Sequence, residues 1–320
     1  MKSIIITDPE GCRQAWEKYW PVQDIFDIWS VRQCFNAAFN RPLSFHLIED
    51  KGQVVGFLPL SRVEETGEYV FFPGETWKGK TWLEQNRVFA QSPEVFQALC
   101  DSVPGPLNLR YLRFNPLFEK MEQAGPDETG YLFYPRMHDF SMENFWLAFP
   151  GKTRKKLKAD VKKIEERELA WRYNHMPDIS EMFRLNMAAF TSDSYFSDAR
   201  FYRSFERFAA YLQEMGMLRV TTAIVEGKIA AVDMGAVFNN TYTVVAGGTH
   251  PDFVGIAKVI NLHHLEWACH NRLEAVDFLC GSFSWKERFR LSPRPSYEIH
   301  TQPDAAVFQG SHYGRKAVCA

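Results

Sequence analysis

The sequence predicts an α/β (α+β) protein of two similar halves, each a mixed, mostly antiparallel sheet flanked by helices. Three observations carry this. Strand-like and helix-like periodicities alternate along the 320-residue chain, which selects a layered α/β architecture. Segments of the first half are echoed, in the same order, in the second. In the second half a strand (Tyr242–Ala246) runs through small residues into a helix opening near Gly255. Such a junction gathers free backbone N–H groups and the positive end of a helix dipole, a ready anion site.

Taken in order, residues 11–19 and 28–39 pattern as helices, and SFHLIEDKGQVVGFLPLSRV (44–63) alternates about a Gly52 turn as a hairpin does. The strand EYVFF (68–72) leads to Pro73-Gly74. Ser92 followed by Pro93 is a helix start signal for residues 92–102. A strand follows at Leu107–Phe114, and residues 119–140 read as a connection and a returning strand. The echoes are FNAAF (35–39) with NMAAF (186–190), IEDKGQVVGF with IVEGKIAAVD (224–233), and EYVFFPGET (68–76) with TYTVVAGGT (241–249). They divide the chain into a degenerate first domain, 1–145, and a second domain, 146–320, that carries the site. Beyond the strand at 169, the second domain is expected to hold helices 179–190 and 199–215 and strands 218–226, 228–238 and 241–247. A helix (256–272), a strand (275–279), a short helix (284–290) and a strand (296–301) complete it.

Between the halves, GKTRKKLKADVKKIEERE (151–168) holds eight Lys or Arg against four acidic residues, with Leu157, Val161 and Ile164 on one stripe. It reads as a basic linker helix (152–168) with a solvated face. Its dense start, Arg154-Lys155-Lys156, is placed to hold phosphate groups of a donor or acceptor. The whole chain is nearly neutral, with a net charge of −2, so no global field favours DNA or a membrane surface. The Ile4–Ile6 run is too short for a signal peptide and no apolar run approaches a membrane span, so a cytoplasmic protein is expected. Six cysteines (12, 34, 100, 269, 280 and 319) lack metal or disulfide spacing and read as reduced thiols. His263 and His264, adjacent on one helix, face different ways and make a poor zinc pair, so no metal is expected.

Gly74-Glu-Thr-Trp-Lys-Gly79-Lys80-Thr81 matches the phosphate-loop pattern G-x-x-x-x-G-K-[ST] after a strand. A true site needs a long helix from the lysine and a downstream acidic strand end for magnesium. The charged Glu75 and bulky Trp77 stand where bare backbone is wanted, so a P-loop nucleotide binder is the lesser expectation.

The element order over 169–299, with GGTHPDF, GIAK, VDFLCG and WK in sequence, resembles the GNAT acyltransferase superfamily, and within it the FemAB-like and CelD-like branch. Members of that branch carry two GNAT-type domains in one chain. The resemblance covers about 145–300 well and 1–140 faintly. It implies an N-acyltransferase taking acyl-CoA (acetyl-CoA) as co-substrate and an amine as acceptor, a small molecule or a cell-envelope or polysaccharide component. Aminoacyl transfer from charged tRNA, as in FemAB enzymes, is the alternative within the family, and a non-catalytic binding protein the alternative outside it.

On this sequence the superfamily's loop [RQ]-x-x-G-x-[GA] falls on Asp252-Phe253-Val254-Gly255-Ile256-Ala257 and departs at Asp252, with Lys258 next to return positive charge. The resemblance thus implies a donor site of Val245, Gly247, Gly255, Ala257 and Lys258. The branch's D-F-x-x-G strand end is Asp277 to Gly281, and its Tyr-Lys pair becomes Trp285-Lys286, which removes a proton donor. Gly281, Trp285 and Lys286, with Arg154 and Lys155, are the implied substrate contacts. Attack needs a neutral amine, so a carboxylate must take a proton; Asp277, at a strand end, is preferred over Asp233. Tyr242 or Tyr297 would protonate a leaving thiolate. The aromatic run 201–208 either lines the acceptor cleft or packs in the core.

Overall fold

The structure is a computed structural model that describes residues 1–121, 123–281 and 284–301. Cys319 and the end of the second expected domain lie outside the described residues. The chain forms two compact units.

The first unit holds residues 1–129 with 203–208 and 295–301. It begins with β1 (Lys2–Ile6), α1 (Pro9–Tyr19), α2 (Trp29–Phe39) and the hairpin β2 (Leu43–Asp50) and β3 (Gln53–Arg62). β4 (Tyr69–Phe71), three two-residue strands, β5 (Thr76–Trp77), β6 (Lys80–Thr81) and β7 (Phe89–Ala90), α3 (Pro93–Asp101) and β8 (Leu107–Leu112) follow. Its strands are ordered β1-β2-β3-β4-β8-β15 (β15 being Ser292–Thr301). Local chemistry sets the helix starts: Asp8 caps α1 through Gly11 N, and Ser92 caps α3 through Val95 N, each before a proline. The core is aromatic, with Trp16 stacked on Trp20 at 4.6 Å beside Phe45, Phe57 and Phe72. Phe205 and Phe208 are buried against Phe35 and Trp82 in this unit, so that part of the aromatic run is packing.

The Gly74–Thr81 match is not a phosphate loop. Residues 76–81 form a tight hairpin, Thr76 opposite Thr81 and Trp77 opposite Lys80, turned by Lys78 and Gly79 at positive φ. No helix starts at Lys80. Glu75 is buried, and its carboxylate accepts from the Thr81 hydroxyl (2.6 Å) and the backbone N–H groups of Leu83 (2.7 Å) and Trp82 (3.2 Å). The donors a phosphate would need are already satisfied by a carboxylate.

The second unit holds residues 130–202 and 209–294. After β9 (Ala124–Phe133) come α4 (Met142–Leu147), α5 (Gly151–Glu165), β10 (Leu169–Tyr173), α6 (Asp178–Phe190) and α7 (Ala199–Glu214). The antiparallel β11 (Leu218–Val225), β12 (Lys228–Phe238) and β13 (Thr241–Thr249) are followed by α8 (Ile256–His270), β14 (Ala275–Asp277) and α9 (Ser284–Arg288). The order is β9-β14-β13-β12-β11-β10, and only β13 and β14 run parallel. The unit boundary, between 129 and 130, differs from the expected 145/146 because the end of β9 pairs with β14: Phe133 lies opposite Val276 and Leu132 opposite Asp277.

Gly247 and Gly248 point to opposite faces of β13, as successive strand residues must. A Cβ on Gly248 would stand 2.5 Å from the Met182 carbonyl, so this glycine lets α6 sit directly on the sheet. Gly247 faces the α8 side. β14 stops at Asp277, two residues short of the expected strand, where Leu279 turns to φ +56°.

Candidate active site

β13 and β14 pair only from Thr241 opposite Ala275 to Thr243 opposite Asp277. Beyond that point β13 continues to Thr249 with no partner on its β14 side. On its other side the register with β12 shifts between Met234, opposite Ala246, and Gly235, opposite Val244. Val245 is the extra residue of this bulge, which bends the strand and redirects its N–H. Among the described residues, the main chain of β13 past Thr243 therefore runs on without a strand on its β14 side. The Gly247 carbonyl on this stretch accepts from Asn186 Nδ2 (2.7 Å), and Asn186 Oδ1 accepts from Ser194 Oγ (2.8 Å).

Past the strand, Gly255 (φ +95°) opens α8 with no side-chain cap, and nothing lies within 4 Å of where its Cβ would be. With Ala257 in the first turn, the main chain here is open to close approach by an anion. Lys258 is not free: its ammonium pairs with Asp160 of α5 at 2.7 Å and holds that carboxyl below the ordinary range. The Asp252 side chain stands in solvent, where water screens its charge.

At the other bank, Asp277 is not available as a base. Its carboxylate accepts from both Arg294 nitrogens (2.6 and 3.3 Å) and from the Leu279 N–H (2.8 Å). This fork-to-fork pair ties the end of β14 to residue 294. Lys286 is buried, and its ammonium donates to the carbonyls of Phe278 (2.9 Å), Leu279 (3.0 Å) and Cys280 (2.8 Å). It anchors the segment that leads to Gly281 (φ +107°). Trp285 packs edge-on between Phe278 (5.2 Å) and Phe289 (5.6 Å).

Asp233 lies abreast of Thr221 on β11 and Gly247 on β13. Its Oδ2 is 2.9 Å from Nε2 of a fully buried His264. Tyr242 is also fully buried, with its ring 5.2 Å from His264. Burial first, and the Asp233 charge second, push its phenol well up, while Thr221 opposes. This phenol does not open to the surface, as the expected donor to a leaving group would. Tyr297 belongs to the first unit, packed near Phe114 and Phe118. Phe201 is buried beside Tyr195.

His264 and Arg294 are the residues that sequence reasoning missed. The first was set aside with His263 as a failed metal pair; in fact the two do diverge, His263 stacking on Trp171 at 3.9 Å. Among the described residues no group of three or more His, Cys, Asp or Glu could hold a metal ion. Arg154 and Lys155 lie in the first turn of α5, half-buried and exposed respectively.

Residues 151–287 match the family model described as an acetyltransferase (GNAT) domain. No curated protein matches the sequence. Among solved structures the chain is similar to a conserved protein of unknown function from Bacteroides thetaiotaomicron VPI-5482 (TM-score 0.59, 12% identity, 93% of this chain and 99% of that one). It is similar also to FemX (0.57, 10%, 93% and 97%) and to L-PGS from Bacillus licheniformis (0.56, 10%, 94% and 94%). The second unit therefore carries a GNAT domain and the chain has a fold similar to that of FemX; the matched residues include β13, β14 and the glycine-opened helix α8.

Proposed function

We propose that the second unit is the catalytic half of an N-acyltransferase that moves an acyl group from acyl-CoA to an amine. The observation that carries this reading is the end of β13–β14 pairing at Thr243, beside the Val245 bulge and directly ahead of a helix opened by Gly255. A thioester laid along this edge would add to β13 on the side of 244–246 that β14 does not reach, with its pyrophosphate against Gly255 and Ala257. The N–H groups of the same edge would stabilise the oxyanion formed when the amine attacks. The segment 278–281, pinned by Lys286, would form the opposite bank, with Gly281 and Trp285 towards the acceptor. The acceptor class that suits the fold is a cell-envelope or polysaccharide amine.

A second donor is favoured by one observation. Lys152, Arg154, Lys155, Lys156 and Lys158 crowd the first two turns of α5, and none makes an ion pair among the described residues. Cations at a helix N-terminus oppose its dipole, so this cluster suits a polyanion such as the phosphate chain of an aminoacyl-tRNA. Release of free thiol from acetyl-CoA and longer acyl-CoA, run beside aminoacyl transfer from charged tRNA, separates the two. Amine-dependent thiol release supports the first reading; turnover confined to charged tRNA supports the second; inactivity on both contradicts acyl transfer.

A further inference from the structure

In the second unit, every buried side-chain polar atom without a hydrogen-bond partner, among the described residues, falls in one cluster: Arg219 Nε, Thr221 Oγ1, Tyr242 Oη and His264 Nδ1. Asp233 sits in its midst. Purely structural buried networks are normally satisfied throughout, because an unpaired polar atom away from water is costly. The Thr221 and Tyr242 hydroxyls lie within reach of each other, and Arg219 Nε and His264 Nδ1, close to the Asp233 carboxylate, remain without a partner among the described residues.

The two Asp233 oxygens have different surroundings. Oδ2 is clamped by His264 Nε2 at 2.9 Å. Oδ1 makes no hydrogen bond among the described residues and borders Gly247, where a Cβ would stand only 2.2 Å from it. The Asp233 side chain keeps 8% of its surface while His264 keeps none. Gly247 lies on the stretch of β13 that has lost its β14 neighbour. The absent side chain at 247 thus leaves one carboxylate oxygen at the edge of the proposed donor cleft. A carboxylate fixed by a histidine on one oxygen and open on the other is arranged to take up a proton.

We propose that Asp233 is the proton acceptor of the transfer and that His264 is its positioning residue. The inference rests on the acyl-transfer reading. Asp233 Oδ1 takes one proton from the ammonium group of the acceptor. The freed lone pair forms the C–N bond to the acyl carbon, the C–S bond of the thioester breaks, and the thiolate leaves with that electron pair and takes up the second proton shed by the nitrogen. The charged and titratable groups facing the pair are Tyr242 from β13, Arg219 from β11, whose guanidinium lies 3.7 Å from the Trp267 ring centre, and His263 from α8 itself.

The experiment compares two acceptors of acetyl-CoA on the full chain: spermidine, whose amines are protonated at pH 7.5, and hydroxylamine, which is neutral there and needs no base to become a nucleophile. Asp233→Asn is expected to lower kcat with spermidine by about 10²-fold and with hydroxylamine by less than about tenfold, at unchanged KM for acetyl-CoA. His264→Gln, which keeps a donor, should retain most of the rate that His264→Leu loses, and unchanged circular dichroism identifies the variants that are folded. Equal losses on both acceptors, or full spermidine activity in Asp233→Asn, overturn the assignment of the proton acceptor alone. Wild-type protein that neither binds acetyl-CoA nor transfers its acetyl group to either amine overturns the thioester reading beneath it.

Discussion

The two units place the same junction at the same point in their topology and finish it in opposite ways. In each, a hairpin leads to a strand that pairs in parallel with the strand after the next helix, β4 with β8 and β13 with β14. In the first unit some twenty residues intervene between β4 and α3. They fold into the β5–β6 hairpin with Glu75 buried beneath it, and α3 then starts under a serine cap and a proline. In the second unit six residues suffice, and α8 starts at a bare glycine. One helix N-terminus is capped by a side chain of its own chain, and the other has no side-chain cap. On the proposed reading, topology sets where an anion could bind and the capping residue sets whether that place is open.

The largest effect expected from disturbing this contrast is on the β14 bank. Arg294→Ala leaves the Asp277 carboxylate, 2% exposed, without its partner. Removing one member of a buried pair costs about 3–5 kcal/mol, so urea unfolding should show the second unit losing about that much. A change below about 1 kcal/mol would mean that Asp277 is solvated and free for chemistry.

A smaller effect separates the units by pH. Burial holds His46, in the first unit, and His263, in the second, at about 4. For His263 the neighbouring His264 and Arg219 add to the effect. Both folded values lie below the ordinary 6.5, so the unfolded chain binds more protons between 6.5 and 4. Their stabilising contribution is complete above pH 6.5 and is lost as pH falls towards 4. His46→Asn should therefore flatten the acid limb of hydrogen-exchange protection in the first unit, and His263→Asn that in the second. The second change should be the smaller, because His263 is only half-buried. An unchanged limb in both variants would show that these rings titrate normally.

What the sequence made legible was local. Ser92-Pro93 fixed a helix start because a cap acts within three residues, and TYTVVAGGT announced strand and turn by its own composition. The echo of EYVFFPGET foretold the shared junction. The sequence could not separate Asp277 from Asp233 because each carboxylate's setting depends on a distant chain segment: Arg294 lies 17 residues from Asp277, and His264 lies 31 from Asp233. Lys286 was expected to contact the substrate because nothing local announces that its ammonium folds back onto three carbonyls. Glu75 was suspected as wrong for a phosphate loop, and the structure supplies the reason, since it occupies the donors itself.

On the proposed reading, an acyl donor binds at β13 and the opening of α8 rather than in the first unit. Calorimetric titration of the full chain with acetyl-CoA tests it most directly, in the wild type, Gly255→Val and Lys80→Ala. The account predicts one saturable site that Lys80→Ala leaves unchanged and Gly255→Val weakens at least about tenfold, since a β-branched residue is strained at φ +95° and blocks the open main chain. Binding that survives Gly255→Val, or that is lost with Lys80, would contradict it.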